Sequence, residues 1–169
     1  GRQVLCACYL NELLLRLVTR LDPHPELFSA YEQALDALAD NEEQALRVFE
    51  KRLLQARGYG LLLDHEYDNG QPVQAQCLYE YHLERGPVRR EQANPDGLFL
   101  QGSSLLSLHR DELQDVRSGR EVKQLMRAAL GLYLGARPLR TREVLRQLSR
   151  LSRNASAEMA ALSPDSRTG

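Results

Sequence analysis

Four arginines, Arg137, Arg140, Arg142 and Arg146, crowd residues 133–146, with Glu143 the lone acid among them. A guanidinium stays charged at any ordinary pH and presents a planar fork of donors that matches phosphate and carboxylate oxygens. Gly135 can take the left-handed conformation that ends one helix, and the Thr141 hydroxyl can cap the next. The four side chains therefore belong to one inter-helix corner, suited to a partner rich in phosphate or carboxylate. The competing reading is an ordinary solvated arginine helix end.

Other groupings point to chemistry less well. His109-Arg110-Asp111 opens like a kinase catalytic loop, but the glycine-rich loop, the strand lysine and the Asp-Phe-Gly metal site are missing. A solvated helix end is expected there. Asp64, Glu66 and Asp68 alternate like a calcium loop, yet Asn69 stands where that loop needs glycine and Ala75 where it needs glutamate. A polar hairpin turn is expected instead. Cys77, His65 and His82 fall short of the roughly four sulfur or imidazole ligands of a structural zinc site, and the chain has no Cys-x-x-Cys pair. Cys6 and Cys8 lie two apart on a helix and so face different ways. No base is placed beside a thiol, and no Walker loop or dinucleotide fingerprint is present. The expectation is a protein without catalytic residues, bound metal or cofactor.

The 169 residues suffice for one domain with a real core, and a composition of 43% hydrophobic and 27% charged residues fits a soluble globular chain. No apolar run approaches the roughly 20 residues of a membrane span, and three cysteines are too few for a disulfide framework. No membrane partner and a cytoplasmic, nucleoid-associated location are expected. The net charge of −1 conceals an asymmetry. Residues 117–153 hold ten Lys/Arg against two acids, a local +8, while the remainder holds 12 basic and 21 acidic residues, −9. A basic rear of this kind suits a polyanion, or neutralisation by the acidic front within the fold. The chain opens at Gly1 and runs at once into helical periodicity, which suggests a preceding part.

The elements that must position these side chains are mostly helices. Leu10, Leu13, Leu14, Leu17, Val18 and Leu21 recur at the spacing of a buried stripe, predicting a helix over about 4–20. Pro25 and Glu26 suit the first turn of a second helix, whose apolar face would be Leu27, Phe28, Tyr31, Ala34, Leu35 and Leu38. Asn41 with Gln44 resembles a capping box opening a third helix, faced by Ala45, Leu46, Phe49, Leu53 and Leu54 and ended by Gly58. Leu61-Leu62-Leu63 and residues 77–83 read as extended, the latter alternating Leu78, Glu80 and His82 against Tyr79, Tyr81 and Leu83. Turn signals at Asn69-Gly70, Gly86-Pro87 and residues 94–97 punctuate this insert. Helices are expected again over 103–108, 119–134 and from Thr141 to about 150. Val122, Leu125, Met126, Ala129, Leu130 and Tyr133 form the inner face of the second of these. The expected fold is mainly α, an antiparallel helical bundle with a small β/loop insert at about 61–100. The domain takes in residues 1–150, and 151–169 form a disordered tail.

Several segments, taken in order, resemble the helical region of the bacterial RecO family of DNA repair proteins. They are residues 9–14 (YLNELL), 22–28 (DPHPELF) with Tyr31-Glu32, 46–50 (LRVFE) with Gly58-Tyr59-Gly60, Gly70-Gln71-Pro72-Val73, and 133–139 (YLGARPL) with 141–145 (TREVL). The resemblance implies a non-catalytic recombination mediator. Its implied partners are single- and double-stranded DNA, RecR and the acidic tail of single-stranded-DNA-binding protein, and through them it promotes RecA loading and strand annealing. The family's N-terminal oligonucleotide-binding barrel has no counterpart here, and the insert lacks the cysteines that hold zinc in some members. By the same resemblance an apolar groove at Leu46, with Arg47 and the nearby Lys51 and Arg52, would take the acidic tail. Reversal to Arg47→Glu would then abolish tail binding with the fold intact. The DNA backbone would run along Lys123, Arg127, Arg137, Arg140, Arg142 and Arg146. A helical adaptor binding acidic proteins, with no nucleic-acid role, is the rival reading.

Overall fold

The computed structural model describes residues 1–17, 25–134, 139–141, 143, 144 and 147, the side chains of Leu17 and Leu134 excepted. Five helices and one small antiparallel sheet make up its named elements, and the described chain is mostly α. The helices are α1 (Arg2–Leu17), α2 (Pro25–Ala37), α3 (Glu42–Ala56), α4 (Gly102–His109) and α5 (Val116–Leu134). The strands β1 (Leu78–His82), β2 (Gly86–Arg90) and β3 (Phe99–Gln101) pair in the order β2-β1-β3.

Helix α3 is the central element, packed by α1, α2 and α5, and α5 in turn meets α4 and β3. Both of its ends are set by local chemistry. The Asn41 side chain accepts from the Gln44 backbone N–H at 3.1 Å, the first half of a capping box. The return half is diverted: Gln44 Oε1 accepts from the Leu113 N–H at 3.0 Å, and Asn41 Nδ2 donates to the Leu113 carbonyl at 3.3 Å. The start of α3 is thereby pinned to the loop before α5. At the other end Gly58 takes φ +80°, and the Gly58 and Tyr59 N–H groups reach back to the Gln55 and Leu54 carbonyls. This Schellman pair satisfies carbonyls that the helix end would leave open.

The expected inner faces of α3 and α5 are buried, except that Tyr133 is only half-buried. Leu10 and Leu13 of α1 join them, whereas Val18 and Leu21 and the side chain of Leu17 lie outside the described residues. Phe28 departs from its expectation: it fits the period of α2 but stands 63% exposed, while Leu27, Ala30 and Ala34 are buried. Tyr79 and Tyr81 fill the buried face of β1, as alternation predicts. Leu61-Leu62-Leu63 joins no strand. Its contacts are side-chain ones instead: Leu63 is buried, and Leu62 lies over Gly86, where a Cβ would come within 2.9 Å of it. Helix α5 begins three residues before the expected start, because the Asp115 carboxylate accepts the Ser118 N–H at 2.8 Å. The expected last helix falls largely outside the described residues, although Arg140, Thr141, Glu143, Val144 and Gln147 are helical. The expected disordered tail, 151–169, lies wholly outside them.

Candidate functional site

Helix α3 carries a line of charge through the protein. Three- and four-residue spacing puts Glu43, Arg47 and Glu50 on one face; Arg47 and Glu50 are buried, while Glu43 keeps a partly exposed side chain. The Arg47 side chain is 5% exposed and that of Glu50 fully buried. Arg47 Nη1 donates to both Glu50 oxygens at 2.8 and 2.6 Å, and its Nε lies 3.1 Å from Glu43. The Tyr9 hydroxyl of α1 donates to Glu50 at 2.5 Å. Burial alone would push the Arg47 pKa down, but Glu50, Glu43 and Tyr9 outweigh it, and the guanidinium sits above its ordinary range. Arg47 is therefore a firmly charged, buried cation. Cys6 beside this network is inert, its thiol pushed up to about 11 by burial and by Glu42. Cys8, two residues on, is exposed.

The four residues expected to form an acidic-tail site do not share one open slot. Leu46, 5% exposed, is core, and Arg47 is turned to its own carboxylates. Lys51 and Arg52 converge elsewhere, on Asp111. Lys51 Nζ donates to the Leu108 and His109 carbonyls at 2.8 and 3.2 Å and pairs with Asp111, so it caps the C-terminal end of α4. Arg52 donates to Gln33 at 2.8 Å and to Asp111 at 3.2 Å. Asp111 takes φ 63°, the left-handed position after the helix. His109-Arg110-Asp111 is thus a helix end, its aspartate serving as an anchor for two basic side chains of α3. Of the four candidates, Arg52 is the most accessible, at 39%.

The basic residues divide similarly. Lys123 and Arg127 lie one turn apart on α5 and both are exposed; Lys123 reaches Glu43 at 3.4 Å. Arg140 is exposed as well. Arg137, Arg142 and Arg146 lie outside the described residues. At the corner itself, Thr141 donates to a carboxylate of α1. Its hydroxyl and N–H give 2.7 and 3.0 Å hydrogen bonds to Glu12 of α1, and the Arg140 N–H gives one of 2.9 Å. Glu12 also pairs with Arg16 at 3.2 Å. Partial burial pushes the Glu12 carboxyl up, but the donors from Thr141 and Arg140, with Arg16, outweigh this and hold it below its ordinary value. A carboxylate of α1 thus takes the backbone N–H groups of Arg140 and Thr141.

The insert has its own buried acid. Glu66, in the middle of the acidic run, is 4% exposed and accepts from the Tyr79 hydroxyl at 3.0 Å and from Asn69 at 2.7 Å. The run is the turn that its asparagine and glycine announce, with Gly70 at φ 70°. Among the described residues no three His, Cys, Asp or Glu gather as metal ligands would, and no helix is long and apolar enough to cross a membrane.

A family model described as "Recombination protein O C terminal" matches residues 1–143. The chain belongs to the RecO family. It is 50% identical over 157 residues to the DNA repair protein RecO of Alkalilimnicola ehrlichii, covering 92% of this chain and 62% of that one. The RecO of Nitrosococcus oceani is 44% identical over 153 residues, with 89% and 62% covered, and that of Nitrosospira multiformis is 40% identical over 154, with 89% and 64%. The chain thus spans about three-fifths of the length of these RecO relatives, each named as a DNA repair protein.

Proposed function

We propose that this RecO-family chain serves DNA repair and recombination as a non-catalytic mediator in a RecFOR-type pathway. It binds single- and double-stranded DNA, RecR and the acidic tail of single-stranded-DNA-binding protein, promotes RecA loading and strand annealing, and works in the cytoplasm at the nucleoid. The family match over residues 1–143 carries this reading. The proposal includes the antiparallel arrangement of the helices as the scaffold.

The exposed Lys123, Arg127 and Arg140 support a track for the phosphate backbone, continued by Arg137, Arg142 and Arg146. Such contacts are independent of sequence and sensitive to salt. In the acidic-tail site the accessible Arg52 receives carboxylate and Lys51 adds charge, while Leu46 in the core and buried Arg47 act by positioning α3. The discriminating experiment is a salt series of fluorescence anisotropy titrations with single-stranded DNA, beside a titration with an acidic tail peptide. Lys123→Glu with Arg127→Glu should flatten the log–log salt dependence by about 1.4, from roughly 0.7 per phosphate on single strands. Arg52→Glu should weaken the peptide alone. An unaltered slope removes the track, and unaltered peptide affinity removes the tail site. Peptide binding by a chain with no affinity for DNA at any salt would establish the adaptor in its place.

A further inference from the structure

The residues expected to meet DNA offer no ring for bases to stack on, and Tyr133 is the aromatic near them. The fold brings a second ring to it. Tyr59, in the turn after α3, lies on Tyr133 near the end of α5 with ring centroids 3.8 Å apart and planes inclined by 15°. One face of Tyr59 is covered in this way, yet 41% of the residue remains exposed. A large residue left this open, with its backbone N–H held by the Leu54 carbonyl at 2.8 Å, offers aromatic surface to solvent. Arg57, at the C-cap of α3, flanks it in the chain, and Tyr133 opens the arginine-rich stretch 133–146.

We infer that the outer face of Tyr59 is a stacking platform for an unpaired base of single-stranded nucleic acid, backed by Tyr133. This rests on the nucleic-acid reading above and adds a base-contacting residue to a surface otherwise built for phosphate. The chemistry is suited: every base has a π-face, stacking tolerates any sequence, and a base still paired in a duplex is not free to reach such a ring. Ordering costs are low because neither the turn nor the backing ring has to move.

The test compares a labelled oligo-dT strand with an abasic strand of equal length and phosphate number, each titrated into the full chain by anisotropy. The native chain should bind oligo-dT about tenfold more tightly, within the range measured for one base–aromatic stack. Its tyrosine fluorescence should be quenched by oligo-dT alone, undisturbed by tryptophan, which the sequence lacks. Tyr59→Leu should abolish the preference while leaving abasic affinity and salt slope unchanged, and Tyr59→Phe should keep it. Equal affinity of the native chain for the two strands overturns the inference whether or not the leucine variant folds. So does a loss in Tyr59→Leu that falls equally on both strands. If the native chain binds neither strand, the phosphate track itself fails, and the platform with it.

Discussion

Removing the Arg47 guanidinium should show what the buried line of charge does for the fold. In Arg47→Ala, Glu50 stays fully enclosed and keeps a single donor, the Tyr9 hydroxyl. A carboxylate stranded in this way costs about 3–5 kcal/mol, and solvent cannot relieve it because neither partner is appreciably exposed. For a domain of this size each kcal/mol lowers the melting temperature by about 2–4 °C, so a drop of about 6–20 °C is expected. Replacing the buried pair and its hydroxyl donor with apolar groups of similar volume, Arg47→Met with Glu50→Leu and Tyr9→Phe, should recover the native melting temperature or exceed it, since no fully buried charge is left to desolvate and Glu43, partly exposed, keeps Lys123. Thermal unfolding followed by circular dichroism, with urea titrations at fixed temperature, measures both. A fall of less than 2 °C in Arg47→Ala would refute the reasoning, as would a triple variant no better than the single. Arg47→Glu would set a third carboxylate beside Glu43 and Glu50. Loss of the fold is the expected result, so that reversal cannot report on tail binding as the sequence suggested.

Two further perturbations test the joints of the fold. Glu12 has a folded pKa below its ordinary 4.5, so its contribution is complete above that value and drains away as the pH falls through the depressed one. Glu12→Gln should flatten this acid-side loss and speed hydrogen exchange at Arg140 and Thr141, and unchanged exchange there would count against those hydrogen bonds. At Gly102 a Cβ would stand 2.0 Å from the Gln74 carbonyl oxygen, so the backbone must part. Gly102→Ala should lower stability by about 1–3 kcal/mol in urea unfolding, the usual range for overpacking.

What the sequence disclosed was local. Pro25, Asn41 and Gly58 act through neighbours a few residues away, and the tyrosine alternation in β1 follows from the pleat. The Asp115 cap is as local, its carboxylate accepting the Ser118 N–H three residues on, although the range 119–134 read from the sequence starts past it. Other features depended on partners far along the chain. The spacing of Glu43, Arg47 and Glu50 is visible in the sequence, but the burial of Arg47 and Glu50 is not, since it involves Tyr9 of α1. Glu12 meets residues some 128 positions away, and no pattern announces that meeting. Tyr59 stands between Gly58 and Gly60, and nothing in that local sequence shows that α5 brings Tyr133 against it. Phe28 shows the reverse error, a residue in phase with its helix but left 63% exposed.

Glu43 faces Lys123 across the gap between α3 and α5, and Glu121 holds Arg117. Each of these cations already has a tethered anion, at a local concentration that a free ion in dilute solution does not match. A lone phosphate or a mononucleotide gains little by displacing one. A polymer displaces several in a single event, and each exchange costs only about 0.2–1 kcal/mol at the surface. The rear of the molecule should therefore ignore small anions and respond steeply to strand length, with a threshold set by how many internal pairs must open together.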